Sequence, residues 1–480
     1  MKRFISVLLS AAILFCCLVM PAAAEEAPKA VCSEGCDCGF SPVVYVAALG
    51  SASIYSNYGT DSEKLLFRPG NDALLKVIKE MLPAVLRLIF TKNYDAFGDS
   101  LISSVSDMLG DMAMDDNGDS MPHVTAKESE LPTDGSHGID RDYYFGYDFR
   151  VDPLVTADKL NAFIERVKEI TGHDKVNIKA SSMGGVMVMA YLKEYGHENV
   201  DSLIFQCCPI LGTQVAGELL TKKLYIDKDA VVRYAAQALP ELKNGFAEKS
   251  LSLLLRVLDK TGVMGRLVNF ANKLVPKLAD KIYDELLFPM LGRMPGIWSF
   301  VTDDCYELSK AAALDPVKNA RLIERLDNYH YGVQGRANEI LACAKADGVR
   351  IMILASYNMQ RTPLVESYKN SSDATVDTKY ASVGANVALL GETLGDGYVQ
   401  KVDNGHNHLS ADNIIDASTC ALPENTWFIK NMLHCVTHGG TKDFYRWFLS
   451  GDGDFTVFTN AKYPQFMLDD PKNARLKPIE

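Results

Sequence analysis

Beyond its first two dozen residues the chain has no uninterrupted apolar run long enough to span a bilayer, which argues against a multi-span membrane protein. It also has no basic block. The 61 acidic residues outnumber the 49 lysines and arginines, and the formal net charge is −12. A chain of that sign repels a polyanion, so nucleic acid is not expected as a partner. No internal repeat and no low-complexity tract is present, so the 480 residues read as one large elaborated domain rather than an array. Charged residues make up 23% and hydrophobic ones 48%, which argues against disorder and for a buried core.

Two metal patterns are incomplete. Cys32, Cys36 and Cys38 form a C-x3-C-x-C cluster, but no second Cys/His pair is spaced to finish a zinc site. A local disulfide is the expectation there, and no metal. Asp115-Asp116-Asn117-Gly118-Asp119 resembles half a calcium loop, but it lacks the glycine at position six and the glutamate at position twelve. It reads as a solvated turn.

The exception to the missing apolar runs is the N-terminus. Lys2 and Arg3 precede an apolar stretch from Phe4 to Met20, then Pro21-Ala22-Ala23-Ala24 ahead of Glu25. That is the pattern of a signal peptide over residues 1–24, cleaved on export, and a secreted protein is expected. Cys16 and Cys17 lack the small residues that precede a lipidated cysteine. Loss of Lys2 and Arg3 takes the charge from −12 to −14, and loss of two of the eleven cysteines leaves nine. An odd number leaves at least one thiol unpaired or shared between molecules.

A Cys-rich leader (25–40) precedes a strand candidate, Val43 to Leu49, and the loop Gly50-Ser51-Ala52-Ser53. Asn71 to Phe90 has helical periodicity. Residues 93–142, rich in Asp, Ser and Gly, read as a surface excursion. Tyr143 to Phe149 is a second strand candidate, followed by a helix with Leu160, Phe163, Ile164, Val167 and Ile170 on one face. Strand signals recur at Val176–Lys179, Val200–Cys207, Val349–Ala355 and Thr426–Leu433, with a closing helix over Thr441–Leu449. Strand–helix alternation predicts an α/β fold, with a mostly parallel central sheet covered by helices. The core is expected over 41–209 and 340–480. Residues 210–339, with helical patterns alone, read as a cap or lid insertion. Its amphipathic part, Leu251 to Met290, has an apolar face that packs on the domain or meets lipid.

The chemistry centres on Val176 to Leu192. A short strand runs into Ala180-Ser181-Ser182-Met183-Gly184 and then a helix, the context in which G-x-S-x-G lifts a serine above a sheet edge. Ser182 is the candidate nucleophile. It needs a base and an acid, in the order Ser, Asp, His along the chain. Asp373 lies in the loop after the strand at 349–355, ahead of Asp377, Asp396 and Asp403 as rivals. His434 ends the strand at 426–433, ahead of His406, His408 and His438. The oxyanion donors expected are the backbone N–H of Met183 and one from Ala48, Leu49 or Gly50. No metal or organic cofactor is required.

These motifs resemble the lipase side of the α/β-hydrolases, most closely the branch of lecithin–cholesterol acyltransferase and related phospholipid-active enzymes. Pro42 to Ser51 is similar to P-V-x-x-V-P-G-x-x-G, Tyr147-Asp148-Phe149-Arg150 to Y-D-W-R, and Lys175 to Gly184 to K-V-x-L-x-G-H-S-M-G. Cys208-Pro209 and Gly212-Thr213 stand where the family has A-P-x-x-G-S. Val349 to Leu364 is similar to its strand ending in T-P, and Asp373-Ala374-Thr375-Val376 to its D-G-T-V. The likeness implies an α/β-hydrolase fold and a Ser182–His434–Asp373 triad. The departures are Ala180 for glycine, Ser181 for histidine, and Ala47-Ala48 for Pro-Gly. The expected activity is hydrolysis of carboxylic esters with lipid-like acyl chains, with peripheral lipid contact through the cap. A lipid acyltransferase or phospholipase with the same triad is the nearest alternative. A secreted binding protein on a degenerate hydrolase fold is the other. Nothing in the sequence indicates the oligomeric state.

Overall fold

The apolar runs assemble side by side. In the computed structural model, residues 40–68, 110–238, 259–260, 262–451 and 453–479 are described. The expected signal peptide, Cys32, Cys36, Cys38 and the helix over Asn71–Phe90 lie outside those residues. The strands in chain order are β1 (Val43–Val46), β2 (Ser53–Ser56), β3 (Lys64–Phe67), β4 (Val124–Lys127), β5 (Asp142–Phe145), β6 (Val176–Ser181), β7 (Val200–Gln206), β8 (Arg350–Tyr357), β9 (Met359–Gln360), β10 (Ser371–Ser372), β11 (Asn386–Val387), β12 (Ile415–Asp416), β13 (Thr426–Lys430), β14 (Phe466–Asp470) and β15 (Arg475–Pro478). Eight form the central sheet in the order β15-β14-β13-β8-β7-β6-β1-β5. Every neighbouring pair is parallel except β14 with β15. Parallel pairing puts the C-terminal ends of β1, β6, β8 and β13 on one edge.

Both faces of this sheet are covered, so even the polar residues that alternate along β6, Asn177 and Ser181, are buried. On one face the helix Pro153–Thr171 packs Leu160, Phe163, Ile164 and Val167 against the sheet and the helix Met183–Tyr195. Its start is set by Asp152, whose side chain accepts the Leu154 N–H, and by Pro153 in the first turn. Gly172, at φ 70°, ends it. Each fully buried aliphatic side chain there contributes about 1.5–3 kcal/mol. The opposite face is covered by the helix Gly439–Leu449, whose Phe444 and Phe448 pack with Trp427, Met352 and Met467.

Several elements differ from the sequence reading. The strand expected over Tyr143–Phe149 stops at Phe145, because the next residues turn to bury Asp148 and Arg150. The strand expected to reach Leu433 stops at Lys430, where Asn431 adopts φ 63°. β14 and β15 extend the sheet past the closing helix, and β4, in the region read as a surface excursion, pairs with β2, which also pairs with β3, in a small antiparallel sheet. The Asp115–Asp119 turn is docked rather than solvated. Asp116 pairs with Arg293 and Lys318, and Asp119 with Arg321 and Arg325, so it is bound to the helix Ala320–Gly332 and its surroundings.

Between β7 and β8 the described elements are helical, running from Gln214 to Ala346. This segment is pressed onto the sheet edge. A Cβ on Gly296 would lie 2.0 Å from the Phe149 carbonyl oxygen and 3.0 Å from Met183 Cε. Among the described residues no helix is long and apolar enough to cross a membrane.

Candidate active site

Ser182 stands between β6 and the helix Met183–Tyr195 with φ 51° and ψ −124°. A non-glycine residue held there stores on the order of 1–3 kcal/mol of strain, released only if the neighbours allow it. They do not. Ser182 N–H donates to the Gln206 carbonyl at 3.0 Å. Close contact also demands glycine at the second and third helical positions. A Cβ on Gly184 would lie 2.2 Å from the Val46 carbonyl oxygen, and one on Gly185 would lie 2.5 Å from Cys208 Sγ. The small residues seen in the sequence are thus needed on the helix side of the serine. On the strand side Ala180 is buried without conflict.

The structure brings Ser182, His434 and Asp373 together. Ser182 Oγ is 2.9 Å from His434 Nε2, and His434 Nδ1 is 2.7 Å from Asp373 Oδ2. The other carboxylate oxygen of Asp373 accepts N–H bonds from Thr375 (2.8 Å) and Val376 (2.7 Å). Both oxygens are therefore committed, and the carboxylate is aimed at the ring. With Nδ1–H donating to Asp373, Nε2 is left to accept the serine proton. Burial opposes a charged imidazole, but the adjacent Asp373 carboxylate outweighs it, with a further contribution from Cys435, and holds the His434 pKa well above its ordinary value. All three residues are buried.

The expected oxyanion loop runs beside the elbow. Val46 pairs with Ala180, so Ala47, Ala48 and Leu49 leave β1 level with Ser181 and Ser182. The loop is pinned from both sides: Ala47 N–H donates to the Phe145 carbonyl at 3.1 Å, and the buried Tyr147 hydroxyl donates to the Ala47 carbonyl at 2.9 Å. Ala47 and Ala48 avoid left-handed backbone; Gly50, at φ 81°, takes it. Alanine in place of Pro-Gly is thus unstrained. Met183 is the first residue of its helix, so its N–H has no partner within the helix.

The rivals have other tasks. Asp377 is locked to Arg361 at 2.9 Å and also accepts from Thr213 Oγ1, the Gln214 N–H and Asn370. Asp396 and Asp403 are exposed, as is His406. His408 is buried between Gln465 and Asn404. His438 bonds Asp469 at 2.6 Å and caps the helix Gly439–Leu449.

One positioning residue, Gln206, escaped the sequence reading, and Ser181, read there as a departure beside the nucleophile, is its partner. Ser181, at the position where the resembled motif has histidine, donates to Gln206 Oε1 at 3.1 Å. Gln206 in turn donates to the Val436 carbonyl at 3.2 Å, two residues past His434. A polar chain therefore runs beneath the elbow to the loop carrying the base. Its one signal in the sequence is a glutamine ending an otherwise apolar strand. Cys207 also lies within 4.8 Å of the reactive atoms of Asp373 and His434. Burial, then the negative Asp373, pushes its thiol pKa well up, so it stays neutral and does not compete as a nucleophile.

The alpha/beta hydrolase fold family matches residues 118–254. No curated protein matches. A solved structure of a Tle4–Tli4 complex matches at 14% identity and a TM-score of 0.20, over 38% of this chain and 48% of that one. The chain thus spans about half the length of that solved chain, a likeness too slight to bear on function. The family match over those residues and the eight-stranded, mostly parallel sheet flanked by helices together show an α/β-hydrolase fold.

Proposed function

We propose that the chain is an exported serine hydrolase that cleaves carboxylic esters with lipid-like acyl chains. One observation carries this reading: the hydrogen-bonded series from Ser182 Oγ through His434 to Asp373, at 2.9 and 2.7 Å, on a strained elbow. Ser182 attacks the acyl carbon while His434 takes its proton as general base. Asp373 holds the resulting imidazolium, and the negative oxygen forms beside the Met183 N–H and the Ala48–Leu49 loop. His434 then returns the proton to the leaving alcohol. Water, deprotonated by the same ring, releases the acyl group. Two features support a place in the lecithin–cholesterol acyltransferase branch. Arg150 grips Asp148 through Nε and Nη2 in the segment that resembles Y-D-W-R. Ala374 takes φ 83°, the conformation suited to the glycine of D-G-T-V. The helical segment over Met183 supports a covered, apolar acyl site; the described apolar residues of its amphipathic stretch, among them Met264, Val268, Ile282 and Leu286, are buried against the domain.

A fluorophosphonate probe tests the chemistry. It is expected to label the purified protein, and Ser182→Ala to remove the label; labelling that persists in that variant sinks the reading. p-Nitrophenyl esters of rising chain length then test the substrate class, and cleavage of acetate alone overturns the lipid preference.

A further inference from the structure

On the side of the molecule away from Ser182, three side chains of different donor type converge. His197 lies in the turn between the helix Met183–Tyr195 and β7. Cys343 and Asp347 stand one helical turn apart, in and just after the last turn of the helix Ala337–Ala346. His197 Nε2 is 2.9 Å from Asp347 Oδ2, Cys343 Sγ is 3.9 Å from the same oxygen, and all three atoms lie within 4.8 Å of one another. We propose that His197, Cys343 and Asp347 form a binding site for a zinc-class divalent cation, which ties the turn after the elbow helix to the helix that leads into β8.

The donor set selects the ion. One nitrogen, one sulfur and one carboxylate oxygen suit zinc and its neighbours, whereas calcium and magnesium require several oxygens. Tetrahedral bonds of about 2.0–2.3 Å place two ligand atoms roughly 3.3–3.7 Å apart. The observed 2.9 and 3.9 Å bracket that span and the third pair lies within 4.8 Å, so side-chain shifts of about an ångström suffice. The backbone is already set. The Asp347 N–H donates to the Cys343 carbonyl at 3.1 Å, and the Val200 N–H to the His197 carbonyl at 2.9 Å. Access is open, since Cys343 and Asp347 are exposed and His197 is half-buried. Three protein ligands leave a fourth position for water.

A second group with the same three donor types, Cys207, Asp373 and His434, differs in access and in task. It is buried, and a cation there would break the Asp373–His434 link that orients the base, whereas the His197–Asp347 bond orients no reacting group. The two groups are separable by experiment. The full chain, reduced and stripped of metal, is titrated with cobalt(II) and then zinc(II). One equivalent of cobalt is expected to give a thiolate-to-metal charge-transfer band that zinc removes, and zinc is expected to raise Tm. Cys343→Ser should abolish the band and the Tm shift. His197→Ala and Asp347→Asn should each weaken binding by about 10–100-fold or more, since losing even an outer-shell partner costs that much. Cys207→Ser, and a variant with Cys32, Cys36 and Cys38 all changed to Ser, should bind as before. Absence of the band overturns the site. So does a band that survives Cys343→Ser, or one lost instead with Cys207 or the N-terminal cysteines.

Discussion

His434 and His438 stand four residues apart after the same strand, and each has a carboxylate within 2.7 Å, Asp373 and Asp469 respectively. An imidazole–carboxylate pair therefore does not mark the site. What separates them is the second ring nitrogen. That of His434 faces Ser182 Oγ at 2.9 Å; that of His438 accepts the Gly440 N–H at 3.1 Å and caps a helix. One ring is left free to move a proton between two partners. The other is held at both ends by structure.

The sharpest way to break this comparison is to remove each ring in turn. With a p-nitrophenyl ester, His434→Ala is expected to lose about 10⁶ in kcat, as when a member of such a unit is deleted, while folding normally. His438→Ala is expected to keep turnover within a few-fold and to lose about 1 kcal/mol of stability in urea, the usual worth of a helix cap. Equal losses of activity in two folded variants would erase the distinction.

The two aspartates of the acid loop give the next contrast. Asp373→Asn keeps the shape but removes the charge and disturbs the ring tautomer, so kcat should fall about 10⁴-fold. The pH profile carries the sign. Catalysis needs neutral His434, whose pKa Asp373 raises, so kcat/KM should climb with an inflexion on the alkaline side of about 6.5, the ordinary imidazole value. In Asp373→Asn burial is left unopposed by that charge, and the inflexion should move toward acid. Because the folded-state pKa is raised, the stability this pair contributes is full below the unfolded value. It is lost as pH rises through the folded one. Asp377→Ala should behave in the opposite way. It leaves Arg361 buried without its partner and costs about 3–5 kcal/mol of stability. An unshifted inflexion in Asp373→Asn, or an unchanged urea midpoint in Asp377→Ala, would show that the two carboxylates have been assigned the wrong tasks.

These contrasts also show where sequence reading stops. β1, β8 and β13 are legible because strands buried on both faces are largely apolar runs, and β6 and β7 because β-branched and apolar residues recur along them between turn and helix signals. With them came the sheet edge on which Ser182, Asp373 and His434 are found. β14 and β15 were not legible. Phe466-Met467-Leu468-Asp469-Asp470 ends in two acids, and its pairing with β13 comes from tertiary contact alone. Asp373 and Asp377 lie in one loop and differ only in what they face, a fact that depends on where Arg361 is buried. The chain from Ser181 through Gln206 to Val436 joins three distant positions and leaves no periodic trace.

The smallest expected effect concerns the residue after Asp373. Ala374 sits at φ 83°, and this left-handed turn brings the Thr375 and Val376 N–H groups back onto Asp373 Oδ1. Alanine there costs roughly 1–2 kcal/mol that glycine does not incur. Glycine, however, loses about 0.5–1 kcal/mol through the greater freedom of the unfolded chain. Ala374→Gly should therefore leave stability unchanged or raise it by up to about 1 kcal/mol. Activity should stay within about twofold, because the turn and its two N–H bonds are kept. Gly184→Ala, the reverse exchange on the serine side, has no such latitude, since its Cβ would lie 2.2 Å from the Val46 carbonyl oxygen. If Ala374→Gly instead destabilises the protein by more than about 1 kcal/mol, the methyl group outweighs the strained backbone. The hold on Asp373 would then come from packing of the Ala374 side chain rather than from the turn.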